Sequence, residues 1–381
     1  MRLLMKDSGK FLNNFQKLLW DISGAFGDIG VLVPLAIALI VKNGFNPTAL
    51  FLMAGLFYVA SAYYFRITMP VQPLKAMAAI AIASGLSFEV INAAGIAMGV
   101  ILILISLSGL SVRLGSFFPV SVIRGIQLGL GMMLVRSAAG LISADILIAV
   151  LAGLLLITNI ALIKKIPPLI PILMLGAVFS IKGLISPTIG SVALSPAMPD
   201  ADSLWRGFTL LVLPQIALTF GNAIVATEAT GKLLYGHKAA RLNLRSVPLS
   251  MGLANIASGF FGGAPMCHGC GGLTAHCKFG ATSERSGYII GFLLIVLALL
   301  FGKSALSIIS AFPVGILGVL LCYVGIQHSL FIKDILDDKK AMFIALTVAI
   351  SEFLTNNRTI GFVLGLGVHY SFMVMKNTLR V

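Results

Sequence analysis

The sequence predicts an all-α polytopic membrane protein of about fourteen transmembrane segments, arranged as a 7+7 inverted repeat with two half-helices meeting at the midplane. Three observations carry this. The 381-residue chain is 58% hydrophobic and 10% charged, with mean hydropathy +1.03, where a soluble domain carries about 25% charged residues. Short stretches also recur at one spacing. Phe26-Gly27-Asp28 returns as Phe220-Gly221-Asn222 and Phe118-Pro119-Val120 as Phe312-Pro313-Val314, both 194 residues on. Pro70-Val71-Gln72-Pro73 is echoed 195 residues on by Pro265-Met266-Cys267-His268. Finally, two of the apolar segments are too short to cross a bilayer.

In order, the segments read as roughly 15–41, 48–66, 73–84, 90–110, 117–137, 144–163, 168–185, 208–230, 247–262, 272–282, 286–302, 306–323, 340–353 and 357–376. Most approach the ~20 residues a spanning helix needs. The first is ambiguous. Hydropathy alone starts it near Ile22, whereas its repeat partner pulls the start back to about Phe15 and leaves Asp28 near mid-membrane. The third and tenth follow Pro- or Gly-rich stretches that do not continue a helix, Met69 to Pro73 and Gly262 to Gly272. Bare backbone at membrane depth is tolerated only when buried in protein or lining a cavity. These two therefore read as half-helices facing a site, and duplicated halves with interrupted helices point to a transporter.

With fourteen segments both termini share one side. That side holds twenty Lys and Arg residues and the other six, and Lys75 inside the membrane completes the 27. The positive-inside bias makes both termini cytoplasmic in a plasma (inner) membrane. Seven segments per half invert the second half on the first. The halves are expected over residues 1–190 and 205–381, with a polar seam near Ser186 to Arg206 and no soluble regulatory domain. The N-terminus lacks a signal-peptide core, so no processing is expected. The net charge of +14 orients loops and does not indicate nucleic acid. Cys267, Cys270, Cys277 and Cys322 read as buried thiols, with no disulfide framework.

The chemistry sits on the interrupted stretches. Pro73 suits a first helical turn, and the N–H groups and dipole of that turn favour an anion. Gln72 adds amide donors and Lys75, one turn inside, a full charge, which at membrane depth is expensive and usually functional. The opposing reading pairs Lys75 with Asp28 for packing alone. In the second half, Gly269, Gly271 and Gly272 let backbone approach a ligand, beside Cys267 and His268. Two positive helix ends meeting at one point select a small anion, best a tetrahedral oxyanion. His268 reads equally as a packed histidine. Cys267, His268, Cys270 and His276 also resemble a metal site, which leaves a metal-handling membrane protein as an alternative. A same-fold nucleobase transporter and an anion channel are the others. Asp28 and Glu228 are the deepest acids and hence candidate coupling groups, with Asn222 in Asp28's place in the second half; Glu228 alternatively pairs with Lys232. Glu352 and Arg358 read as interfacial, and Arg124 as a loop anchor.

At Ser23-Gly24-Ala25-Phe26-Gly27-Asp28-Ile29-Gly30, Met69-Pro70-Val71-Gln72-Pro73-Leu74-Lys75-Ala76 and Pro265-Met266-Cys267-His268-Gly269-Cys270-Gly271-Gly272-Leu273, the sequence resembles the molybdate transporter family, a relative of the SulP-type sulfate permeases. The three boxes occur in order and the likeness covers nearly the whole chain. It implies core and gate domains, uptake of molybdate or a sulfate-like oxyanion, and a substrate site on Gln72, Lys75, Cys267 and His268. No STAS-type domain is expected. The combined expectation is a secondary active transporter, not an enzyme, without cofactor or bound metal. It would be coupled to protons through Asp28, and a homodimer is compatible with it.

Overall fold

The computed structural model describes residues 14–115, 117–163, 166–180, 194, 198–355 and 358–378. Both chain termini and most of the expected seam, residues 186–193 and 195–197, lie outside the described residues. In the first half, α1 (Asn14–Ala25) and α2 (Ile29–Asn43) are followed by α3 (Pro47–Phe65), β1 (Gln72–Pro73) and α4 (Lys75–Ser84). Then come α5 (Phe88–Leu107), α6 (Val120–Ala144), α7 (Ile146–Thr158) and α8 (Leu169–Ser180). The second half runs through α9 (Ala201–Gly207), α10 (Leu213–Leu218), α11 (Thr227–Tyr235), α12 (Ser246–Phe260), β2 (Met266–Cys267) and α13 (Cys270–Lys278). It ends with α14 (Arg285–Phe301), α15 (Val314–Ser329), α16 (Lys339–Thr355) and α17 (Arg358–Thr378).

Local chemistry sets the boundaries. Asn46 accepts from the Thr48 N–H at 2.9 Å and Pro47 takes the first helical position, so α3 starts where both preferences agree. Pro119 and Pro313 play matching parts, each in extended conformation just before α6 and α15. The recurring Phe-Pro-Val is therefore a helix-start signal. It also corrects the segment expected at 306–323. A short helix, Ala305–Ser310, ends before Pro313, and the main helix begins at Val314. The first expected segment is likewise two helices, bent by 41° at Phe26-Gly27-Asp28. Its counterpart is longer than expected, running from Ala201 to Tyr235 with π-helical turns at Phe208–Val212 and Thr219–Ala226.

Among the described residues, five helices are long and apolar enough to cross a membrane, or seven when each bent pair counts as one span. That is fewer than the fourteen expected. The other segments fall short because they are interrupted, or because, like α8 and α14, their apolar helices have only 10–17 residues. The polarity is that of a protein dissolved in lipid. Leu147, Leu154 and Leu162 point outward at 58–78% exposure, while Asp28, Gln72, Gln127, Asn255, His268, His276 and His328 are buried. Glu352, expected at the interface, is fully buried against Gly129 and Gly361. Arg124 is also buried rather than a loop anchor. It pairs with Asp334, and its Nη1 donates to Gln127 at 2.9 Å. The side chain of Arg358 is outside the described residues.

Without a hydrophobic drive between helices in lipid, close backbone contact does the packing. Glycine meets glycine at three crossings: Gly55 with Gly291 (α3–α14), Gly99 with Gly252 (α5–α12), and Gly131 with Gly325 (α6–α15). The last two residues are 194 apart in the chain, the repeat spacing. A Cβ at Gly131 would stand 2.6 Å from the Gly325 carbonyl oxygen, and one at Gly325 2.8 Å from the Gly131 oxygen. On the same α6, a Cβ at Gly140 would meet nothing within 4 Å. Gly131→Leu is therefore expected to destabilise the protein by about 1–3 kcal/mol through overpacking, and Gly140→Leu to leave it unchanged or slightly more stable. Thermal midpoints in one detergent compare the pair, and equal midpoints would refute the crossing as a packing constraint.

Candidate functional site

The interrupted stretches meet. β1 pairs antiparallel with β2, Gln72 opposite Cys267 and Pro73 opposite Met266. Gln72 and Cys267 are 195 residues apart, the spacing at which the two stretches echo each other in the sequence. Further bonds close the junction. The Leu74 N–H donates to the Pro265 carbonyl at 2.9 Å, and His268 Nδ1–H donates to the Pro70 carbonyl at 2.8 Å. Asn255 Oδ1 accepts from the Met266 N–H at 2.7 Å, and the Ser258 hydroxyl donates to the Ala264 carbonyl at 2.7 Å. Proline backbone at this depth thus finds its partners within the protein, as lipid requires.

From this junction α4 and α13 depart, so their N-termini lie side by side. The residues preceding them, Leu74 and Gly269, supply no side-chain cap. In α4 the Met77 N–H donates to Gln215 Oε1 at 2.8 Å, and the Gln215 amide in turn donates to Thr219 at 3.0 Å. Lys75 is the first residue of α4, not one turn inside it, and Pro73 lies in β1, before the helix.

Asp28 stands at the break between α1 and α2, and both its carboxylate oxygens accept from the Gln72 amide. Lys75 lines the same small cavity as Asp28. The ammonium and Gln72 Oε1 also flank Gly269, at 3.2 and 3.0 Å from where its Cβ would be. Asp28, Gln72, Lys75, Gly271 and Gly272 line one cavity, closed on its far side by Leu134 of α6 and by Leu321 and Val324 of α15. The cavity offers about 10 Å³ to the centre of a water molecule, room for roughly one water. One wall carries charge and amide donors, the other only hydrocarbon.

The remaining expected site residues lie elsewhere. His268 is fully buried behind the junction. Its Nε2 meets Ser250 at 3.2 Å, and Phe57 packs on its ring at 4.7 Å between centroids. With both nitrogens engaged it braces the Pro70 turn and does not line the cavity. Cys267 is held in β2. Asn222 sits in a π-helical turn and accepts from the Cys270 thiol at 3.0 Å. That thiol is 3.4 Å from His328 Nε2, and His328 Nδ1 meets Thr274 at 2.7 Å. His276 bonds the Gly24 carbonyl at 2.7 Å, and its Nε2 is 3.4 Å from the Tyr58 hydroxyl. The cysteines and histidines of and around the third box therefore point in different directions. Among the described residues, no group of three or more His, Cys, Asp and Glu side chains is arranged to hold a metal. Glu228 forms an ion pair with Lys232 at 2.5 Å, away from the cavity. Sequence reasoning missed Gln215, Asn255 and His328. Each is a polar residue in a mostly apolar stretch, a signal too weak to single it out.

Residues 21–134 and 207–327, more than half of the chain, match the family described as molybdate transporter of MFS superfamily. The chain belongs to the molybdate transporter family. It is 29% identical to Molybdate transporter 1 of Arabidopsis thaliana, over 95% of this chain and 90% of that protein. Molybdate transporter 2 of the same plant is 28% identical over 94% and 88%. Molybdate transporter 1 of Chlamydomonas reinhardtii is 25% identical over 92% and 91%. The fold is that of the transmembrane domain of a cyanobacterium bicarbonate transporter, BicA, with TM-score 0.59 at 18% identity over 93% of this chain and 98% of that one. It also matches SLC26A9, with TM-score 0.63 at 16% identity over 98% and 66%. Family and fold together make this chain a helical membrane transporter, with anion transport its function.

The two cavity glycines of this family member are not equivalent. A Cβ at Gly272 would lie 2.5 Å from Asp28 Oδ2, 2.6 Å from Pro70 Cβ and 2.7 Å from Gln72 Nε2. One at Gly271 would come no nearer than 3.3 Å, to the end of Leu130. Gly272→Ala is expected to lower uptake about tenfold or more, the effect of ~1.4 kcal/mol, and Gly271→Ala to change it little. Uptake normalised to protein in the membrane decides it; equal activities would remove Gly272 from the site.

Proposed function

We propose that the protein is a secondary active transporter of a tetrahedral oxyanion, molybdate foremost and sulfate as its chemical neighbour, bound between α4 and α13. One observation carries this. The β1–β2 junction brings two helix N-termini together and sets Lys75, Gln72 and the Gly271–Gly272 backbone around a single cavity. Helix N-termini favour anions, and a buried ammonium adds charge-assisted bonding. The names of the curated relatives, all molybdate transporters, support the choice of anion. A cavity with room for one water does not hold four oxygens about a metal. Binding therefore requires the apolar wall of α6 and α15 to withdraw, the rocking or elevator motion expected of a gate against a core.

The same reading keeps fourteen segments as two inverted halves, residues 1–190 and 205–381, with both termini cytoplasmic in the plasma or inner membrane. The pairing of Gln72 with Cys267, and of Gly131 with Gly325, supports an inverted relation between halves. A rotation axis through each contact would exchange the partners.

Lys75→Ala is expected to weaken oxyanion binding by roughly 1.5–3 kcal/mol, tenfold or more, without loss of fold. Lys75→Arg is expected to restore it only in part, since the guanidinium differs in shape and length. Titration of purified protein with molybdate, tungstate and sulfate measures both affinity and preference. Unchanged affinity in the alanine variant would refute the site.

Coupling follows from the cavity's charges. A dianion entering a cell that is negative inside opposes about 2.3 kcal/mol per charge per 100 mV. Beside an ionised Asp28 it also competes for Gln72 and Lys75, which a proton on Asp28 would relieve. Proton symport through Asp28 is the resulting mechanism. Asp28→Asn is expected to keep substrate exchange while losing accumulation driven by a proton gradient in proteoliposomes. Gradient-driven accumulation by that variant would clear Asp28, and a strict sodium requirement would overturn proton coupling.

A further inference from the structure

Away from the site, α3 and α12 run antiparallel and leave an apolar groove of about 530 Å³ between them. Leu56, Phe57 and Ala60 form one side, Leu249, Leu253 and Ala257 the other, and Leu194, from outside both helices, also lines it. Tyr64 and Ser246 mark one end, and Leu52 and Phe261 the other. From Leu52 to Tyr64 the groove follows α3 for about 18 Å at 1.5 Å per residue. One leaflet of the hydrocarbon core, half of ~30 Å, is about 15 Å deep.

The Tyr64–Ser246 end is basic. Arg241 Nη1 donates to the Tyr64 carbonyl at 2.9 Å, and the Ser246 hydroxyl donates to the Arg241 carbonyl at 2.6 Å. Arg66 ends α3, with its guanidinium 5.0 Å from the centre of the Tyr63 ring, and Arg245 immediately precedes α12, with its guanidinium 3.2 Å from where a Cβ at Gly109, just after α5, would be. All three arginines are exposed. Neither α3 nor residues 236–260 contain an Asp or Glu to offset them. The groove thus has the length of one acyl chain, an apolar lining, and three exposed arginines near one end.

We infer that this groove is a binding site for an anionic phospholipid, one acyl chain lying between α3 and α12 and the phosphate-bearing headgroup on Arg66, Arg241 and Arg245. On the topology proposed above, that end is cytoplasmic, the leaflet where anionic lipids attract basic segments. The groove floor is also the back of the transport site. Phe57 packs on His268, and Ser250, also lining the groove, bonds its Nε2. An occupant would therefore press on the residue that braces the Pro70 turn.

The test is native mass spectrometry of the full chain after exposure to mixed vesicles of phosphatidylcholine and phosphatidylglycerol with identical acyl chains. Phosphatidylglycerol is expected to be retained at least fivefold over phosphatidylcholine, about the effect of one basic contact at a membrane surface. Replacing Arg66, Arg241 and Arg245 by Gln should abolish the preference, and replacing them by Lys should preserve it. Ala257→Trp should fill the groove and lower retention of both lipids at least fivefold. If that variant fails to fold, Leu253→Trp, at a position 57% exposed, gives the same reading. Equal retention of the two lipids by the unaltered protein would overturn the inference. So would a preference that survives the Gln variant, or undiminished retention in the Trp variant. A lipid-free dimer that the Trp variant converts to monomer would assign the groove to a second copy instead.

Discussion

Everything at the centre of this protein depends on the pairing of two stretches that are not helix. Met69–Pro73 and Gly262–Gly269 lie in the interior of a membrane protein, where an unsatisfied carbonyl or amide costs several kcal/mol. Prolines worsen the problem by removing donors while leaving carbonyls. The solution is mutual. The Pro265 carbonyl takes the Leu74 N–H, the Pro70 carbonyl takes His268, and the short β1–β2 ladder takes what lies between. Because each stretch satisfies the other, two helices can begin in the interior, and their positive ends face one point.

The rest of the molecule keeps that junction in place by close backbone packing. The glycine crossings bind α3 to α14, α5 to α12 and α6 to α15 without bulky knobs. Where α6 meets α11 and the turn after α15, the link is polar instead. Arg124 pairs with Asp334 and reaches Gln127, whose amide donates to Thr230 at 2.7 Å. A buried guanidinium is tolerable only when its donors are used in this way. The cavity inherits an asymmetry from these surroundings, with donors on the α4–α13 side and leucine and valine on the α6–α15 side.

Much of the site was legible because breaks in a hydrophobic sequence are conspicuous. The length of the third and tenth segments, Lys75 in an apolar run and the glycines after His268 all mark the junction. Asp28, Gln72, Lys75, Gly271 and Gly272, read from different parts of the chain, line one cavity. His268, Cys267, Asn222 and Glu228 do not join them. Residue type does not reveal which way a side chain turns, and a histidine in a loop serves as well for bracing as for binding. Gln215 and His328 escaped notice for the opposite reason. A polar residue in a mostly apolar stretch leaves no pattern, and its meaning comes from a partner far away in sequence, the Met77 N–H or the Cys270 thiol.

Composition and the breaks in its apolar segments, by themselves, determined that this is a helical membrane protein with two interrupted segments, and the recurrences 194–195 residues apart led to the expectation of duplicated halves. Those properties follow from the solvent, since lipid dictates apolar residues and forbids unpaired backbone anywhere but in a protected interior. Only the tertiary structure decided that the first segment breaks at Asp28, that Pro73 belongs to a ladder rather than a helix, and that the far wall of the cavity is Leu134, Leu321 and Val324. These depend on contacts between residues up to about 300 positions apart, and periodicity along the chain carries no information about which distant surfaces will meet.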